Sequence, residues 1–270
     1  MTEADARIRL YEASDDKRVK FSIGMASMEG LAVANRSAFF HPFTLSTWVA
    51  LSCIMIQYLN WWPRPEYGFL GYLQPFPAFG CWGAVILYLM DWFNRPHFED
   101  ASLDLLRRPD VADIANYYRR SPSSGLFILE YAGKFVGLIA IDASKDSQSQ
   151  STLMDKGKLP SSLKSKHTMP QGTSSVATIR HFYIEEPYRK AGIQKDLLAH
   201  AIQHTFKADN TVKEIKVTTT SLILYAQKCI YDAGFALEKP IGKFGVYGWK
   251  LDLLVLGGHS GKNKMLFRRS

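Results

Sequence analysis

From Ala177 to Phe206 the chain reads ATIRHFYIEEPYRKAGIQKDLLAHAIQHTF: an apolar strand, a basic turn holding one glycine, and an amphipathic helix. That order builds a seat for a phosphate group. The first turn of a helix offers backbone N–H groups without intrahelical partners, together with the positive end of the helix dipole. Gly192 lets the backbone come close to a ligand, and Arg189 and Lys190 add charge. Two side chains beside the turn can move protons: His181, of an imidazole type that titrates at about 6.5 when unperturbed, and Glu185. An ordinary strand-turn-helix with solvated basic residues would show the same local pattern, so the surrounding elements have to decide.

Those elements alternate. Ala6 to Tyr11, with Ile8 and Leu10 set against Arg7 and Arg9, predicts a half-buried strand. Ser14, Asp15 and Asp16 then open a helix running to about Ala34, as a cap and acidic dipole partners should. Ala101 to Arg120 has helical spacing that Pro109 interrupts. Gly125 to Tyr131 and Lys134 to Ala143 predict a hairpin turning at Ala132 and Gly133. Residues 144–174 are rich in Ser, Lys, Gln, Asp and Pro and predict a disordered insert without a core. Beyond it come a strand from Ser175 to Glu185, a helix from Ile193 to Phe206 and a strand from Glu214 to Thr220. A helix from Leu222 to Asp232 and closing strands between Phe235 and Leu256 follow. The fold class is α/β in the α+β sense, a mixed sheet flanked by helices.

One stretch does not fit a soluble domain. Phe43 to Trp62 carries no ionisable side chain, and roughly 20 such residues in a helix cross a hydrocarbon core about 30 Å thick. A second uncharged run, Tyr67 to Met90, is broken by Pro75 and Pro77, which leaves a helix from Pro77 to about Phe93. Trp61, Trp62, Tyr67, Tyr72, Trp92 and Phe93 flank the two runs as interfacial aromatics do. These runs predict a transmembrane hairpin meeting lipid through residues 43–62 and 77–93; the competing assignment is a helical pair buried in a soluble core. The connector holds only Arg64 and Glu66, whereas Lys17, Arg18, Lys20, Arg36, Arg95, Arg107 and Arg108 lie outside the hairpin, which places both termini on the cytosolic side. The first run begins only at Phe43, behind a polar segment, which argues against a signal peptide.

The organisation that follows is residues 1–38 as the first strand and helix, 39–95 as the hairpin, 96–256 as the main domain and 257–270 as a basic flexible tail. A net charge of +8 is spread over the flanks and the later domain, with no basic stripe interleaved with aromatics, so nucleic acid is not the expected partner. The tail, KNKMLFRRS, is basic enough to meet anionic headgroups, or to fray in solvent. Cys53, Cys81 and Cys229 have no ligand-like spacing, so neither a disulfide framework nor a metal is expected.

Arg189, Gly192 and Gln194, behind their strand, resemble the Arg/Gln-x-x-Gly-x-Gly/Ala signature of the GNAT acetyltransferase superfamily, and the element order outside the hairpin and insert is similar to that superfamily's. The hydrophobic insertion, the opening strand with its Ser-Asp, and a histidine at position 181 are similar to its membrane-anchored group, which includes the cysteine-S-conjugate N-acetyltransferases of the endoplasmic reticulum. The resemblance implies a GNAT-like, mostly antiparallel sheet and an endoplasmic-reticulum membrane. It implies acetyl-CoA as co-substrate, with Phe182, Tyr183 and Ile184 pairing with the pantetheine arm and Arg189, Lys190, Ala191, Gly192, Ile193 and Gln194 holding the pyrophosphate. Acetyl would pass from the thioester to an amine, with His181 or Glu185 as base and Tyr231 as acid for the departing thiolate. Three positions depart from the pattern. Gln194 stands where a small residue is expected and threatens to obstruct the cofactor, and Ile223 and Ile230 replace the Asn and Tyr of the last helix, leaving Tyr231 one residue out of frame. The acceptor amine cannot be read, and the departures keep open an inactive acetyltransferase fold serving as scaffold for a membrane-protein partner.

Overall fold

The structure is a computed structural model and describes residues 6–148, 169–245 and 247–258. The chain opens with β1 (Ala6–Leu10) and a single three-ten turn leading into α1 (Asp16–Phe39). Asp15 caps that turn by accepting from the Glu12 N–H at 3.0 Å, and it pairs with Arg9 at 2.6 Å, so strand and helix are tied at their junction. The hairpin helices are α2 (Pro42–Leu59) and α4 (Phe76–Leu106), with the short α3 (Gly68–Gly71) between them. Pro109 ends the helical path as expected, and the short α5 (Pro109–Ala112) and α6 (Ile114–Tyr118) carry the chain into β2 (Gly125–Tyr131). Then follow β3 (Lys134–Ser144), β4 (Thr173–Ile184), α7 (Gln194–Ala208), β5 (Glu214–Thr220), α8 (Leu224–Asp232), β6 (Ala236–Phe244) and β7 (Trp249–Gly257).

The seven strands form one sheet in the order β1-β2-β3-β4-β5-β7-β6, antiparallel throughout except for the β4–β5 pair. The mixed, mostly antiparallel sheet expected from the sequence is therefore present. Alternation along β2 sends Leu126 and Ile128 to one face and Phe127 and Leu129 to the other. The first pair packs with Val19 and Ile23 of α1 and with Val111 and Ile114 of α5 and α6. The second packs with Leu197, Leu198 and Ile202 of α7. Covered on both sides, β2 reads as an almost unbroken apolar run. Ala132 (φ 50°) and Gly133 (φ 71°) make the β2–β3 turn, both in the left-handed region that a two-residue hairpin demands.

Four expected boundaries shift. Helix α1 runs past Ala34 to Phe39, and α4 runs past Phe93 to Leu106 with Pro96 inside it. Packing explains both extensions, because α1 and α4 lie against each other along their length. Asn35 donates to Asp91 at 2.8 Å, Asn94 donates to Asn35 at 2.8 Å, and Ser27 meets Ser102 at 2.8 Å. The expected insert is also shorter at both ends. Ser144 is buried at the end of β3, Ser147 donates to the Val176 carbonyl at 2.7 Å, and Thr173 and Ser174 belong to β4. Residues 149–168 lie outside the described residues. So does the expected tail from residue 259 on; Gly257 closes β7, and the Gly258 N–H donates to the Lys213 carbonyl at 2.7 Å.

Among the described residues two helices are long and apolar enough to cross a membrane by length and composition: Pro42–Leu59, and the longer stretch Gly68–Leu106, each with only 17 % of its most apolar part buried. The tip of the β6–β7 hairpin rests on their base. The Tyr247 hydroxyl lies 3.4 Å from both the Thr44 hydroxyl and the Met90 sulfur, and its ring is 5.7 Å from that of His41.

Candidate active site

A single irregularity in β4 creates the site. Opposite β3, His181 faces Ala140 and Ile179 faces Ile141, so Arg180 is an extra residue, a β-bulge. The parallel ladder to β5 runs from Val176↔Glu214 to Ile179↔Val217 and stops at that bulge, although β4 continues to Ile184 and β5 to Thr220. The two strands separate, and a cavity of about 190 Å³ opens between them. Arg180, His181, Phe182 and Tyr183 line one wall and Thr218, Thr219 and Thr220 the other, with Ile230 of α8 and Ser27 of α1 closing the ends. Phe182 and Tyr183 are thus at the opening where the sequence placed them. Ile184 is fully buried at its end, and its N–H donates to the Tyr225 hydroxyl at 3.4 Å. Burial pushes the Tyr225 hydroxyl up to about 12, against the opposing pull of Arg189 and of the Ile184 N–H.

The bulge brings Arg180 and His181 both to groups of the α5–α6 side. Arg180 forks onto Asp142 at 2.5 Å and lies 5.1 Å over the Tyr117 ring. Burial opposes the charge of Asp142, but Arg180 and the Ser144 hydrogen bonds outweigh it and hold the carboxyl below its usual range. His181 Nε2 sits 2.7 Å from Asp110 Oδ2, and both side chains are buried. Burial likewise works against ionisation of Asp110, yet the hydrogen bond to His181 and the positive charges of Arg180 and Arg108 keep it below the ordinary carboxylate value. An ionised carboxylate only accepts. Nε2 therefore donates, and Nδ1 of a neutral His181 keeps the lone pair that can take a proton. Asp110 was not among the sequence candidates. Its signal was the Pro109 break, which ends α4 and turns the next residue toward the sheet, but nothing local tied it to a histidine 71 positions away.

Glu185 and Tyr231 are not brought to the cavity. The Glu185 N–H donates to the Val136 carbonyl at 2.8 Å, and the residue leads into the three-ten helix Glu186–Ala191. Tyr231 is 42 % exposed on α8, while its neighbour Ile230, 2 % exposed, faces the cavity. The one-residue displacement seen in the sequence turns the ring by about 100°.

The turn after β4 forms as expected. Gly192 takes φ +77°, with open space where a Cβ would lie, and Ile193 caps α7. Lys190 and Ala191 are exposed on its rim. Gln194 does not obstruct it: the side chain is 9 % exposed and folds under the turn, donating to the Arg189 carbonyl at 3.1 Å. Arg189 turns inward as well, donating to the Ile184 carbonyl at 2.8 Å and to Glu29 at 2.5 and 2.7 Å. Among the described residues no group of three or more His, Cys, Asp or Glu side chains is placed to share a metal ion.

A family model described as the acetyltransferase (GNAT) family matches residues 86–235, more than half of the 270-residue chain. The chain belongs to the GNAT acetyltransferase family. The match takes in the bulged strand, the turn and α8, and it begins within α4. The search of curated proteins gives no match. Solved structures similar to this GNAT chain include a spermidine N-acetyltransferase from Vibrio cholerae in complex with CoA and spermine, at 11% identity and TM-score 0.46 over 96% of this chain and 98% of that one. A GNAT-family acetyltransferase from Staphylococcus aureus gives 11% and 0.45 over 94% and 99%. A putative acetyltransferase from Salmonella typhimurium, solved with acetyl-CoA, gives 9% and 0.41 over 94% of both chains.

Proposed function

We propose that this GNAT chain is an acetyl-CoA-dependent N-acetyltransferase, held in a membrane by the α2–α4 hairpin and acting on a primary amine of a small molecule or protein. The observation that carries the reading is the cavity between the separated β4 and β5 strands, with His181 in its wall and Asp110 hydrogen-bonded behind it. In this reading the free backbone edge near Phe182 and Tyr183 pairs with the pantetheine amides. The N–H groups of Ile193 and Gln194 at the start of α7 meet the pyrophosphate, with Gly192 letting the backbone come close and Lys190 beside them. An ammonium cannot attack a thioester, so His181 takes its proton at Nδ1 while Asp110 steadies the resulting imidazolium. The new C–N bond then forms as the C–S bond breaks. Tyr231 is not positioned to protonate the thiolate, and Ile230 brings no acid in its place, so water serves that step. Residence in the endoplasmic reticulum with cytosolic termini rests on the subgroup resemblance and on the distribution of Lys and Arg around the hairpin.

A second reading, an inactive scaffold for another membrane protein, is favoured by Ile230 in the acid's position and by the Tyr225 hydroxyl on the Ile184 N–H. Calorimetric titration of detergent-solubilised full-length protein with acetyl-CoA separates the two. Micromolar binding, lost in Gly192→Trp and followed by CoA release on adding primary amines, supports the enzyme. Well-folded protein that binds no acetyl-CoA leaves the scaffold.

A further inference from the structure

We propose that Glu29 is a positioning residue for acetyl-CoA binding, acting from α1 through Arg189; the inference rests on the acetyltransferase reading of the same site. In the sequence Arg189 stands as a charge offered to a pyrophosphate, but its guanidinium is committed elsewhere. Nε donates to the Ile184 carbonyl at 2.8 Å, and the two terminal nitrogens fork onto the two Glu29 oxygens at 2.5 and 2.7 Å. One face of the guanidinium lies 3.9 Å over the Tyr225 ring. The pair is largely shielded, with side chains 17 % and 26 % exposed, and the residues are 160 positions apart. The Arg189 carbonyl meanwhile accepts from the Gly192 N–H at 3.3 Å and from Gln194 Nε2 at 3.1 Å.

Arg189 is therefore the joint at which the end of β4, the phosphate turn, α8 and α1 meet. Bidentate Arg–carboxylate pairing fixes orientation as well as distance, so the Glu29 carboxylate determines where the Arg189 backbone, and with it Gly192, is held. Two roles for Glu29 predict opposite signs. If it merely neutralised Arg189, its removal would free a cation for the phosphates and tighten binding. If it positions the turn, its removal weakens binding.

The test measures acetyl-CoA affinity and steady-state kinetics on full-length protein in detergent for wild type, Glu29→Gln, Arg189→Ala and the double variant. Glu29→Gln is expected to weaken acetyl-CoA binding by about ten- to a hundred-fold, the scale of a small misplacement at a binding site. Its kcat at saturating acetyl-CoA stays within a few-fold, and Glu29→Asp restores part of the affinity. In the Arg189→Ala background the Glu29 change adds nothing, because the two act as one unit. Unchanged or tighter binding in Glu29→Gln, or an equal effect in the Arg189→Ala background, overturns the inference and leaves the acetyltransferase reading intact. If Glu29→Gln does not fold, Glu29→Asp is read by the same criteria. Wild-type protein that binds no acetyl-CoA overturns both.

Discussion

Asp110 owes its position to Pro109, which cannot continue α4 and starts a new short helix whose second residue meets His181. The pair gives two predictions at the scale of single residues. His181→Ala should lower kcat by about 10²–10⁴-fold, the range of a lost general base, with acetyl-CoA affinity unchanged by calorimetry. The second concerns pH. Asp110 and Asp142 both titrate in the folded protein below the ordinary value of 3.8. A depressed carboxyl stabilises the fold fully above its unfolded value and loses that contribution as pH falls through the folded one. Denaturant midpoints should therefore be insensitive to these two groups near neutrality and decline below about pH 4, with Asp142→Asn flattening the decline. Within the proposed site, the position of His181 was legible because it sits in the motif itself. Asp110 was not, since its contact is tertiary, whereas the displacement of Tyr231 by one residue could be read from the sequence and matches its exposed place on α8.

At the scale of elements, β2, β5 and the β2–β3 turn were legible because their signals are local: a short bounded apolar run in β2, two-residue alternation in β5, and a glycine that accepts positive φ in the turn. The bulge at Arg180 was not, since an extra residue in a strand leaves no mark until the partner strand is known. The length of α4 was hidden for a related reason. Asp91, Arg95 and Pro96 look like an ending, but α1 supplies the contacts that carry the helix on. At Gly30 of α1 an added Cβ would lie 2.9 Å from the Phe98 ring, which is itself buried. Gly30→Ala should cost about 1–3 kcal/mol in reversible unfolding, because the ring has to move within a packed interface. Gly192→Ala meets no atom but must adopt φ +77°, and it should cost about 1 kcal/mol in the same measurement.

At the scale of the whole molecule, the hairpin presents large apolar side chains outward, among them Phe43, Ile54, Phe69, Val85 and Leu87. An arginine at the middle of a span costs about 2.5–3.5 kcal/mol on insertion scales. Wild-type protein should stay with the membrane pellet after an alkaline carbonate wash, and Ile54→Arg combined with Leu87→Arg should move a measurable share into the supernatant. Wild-type protein released by the same wash would remove the anchor from the proposed function. One continuous helix, α4, joins this hairpin to the cleft, and the polar contacts of α1 and the seated β6–β7 tip leave the domain little freedom to swing about it. From Asp91 to Leu105, a cleft residue, the helical path rises about 20 Å. With the hairpin in a bilayer the chemistry stands off from the lipid at a set altitude. In the proposed membrane setting, an amine fixed in the same bilayer would arrive there only on a leash of about six extended residues, whereas a freely diffusing amine would meet no such threshold, and acceptors would be graded by reach.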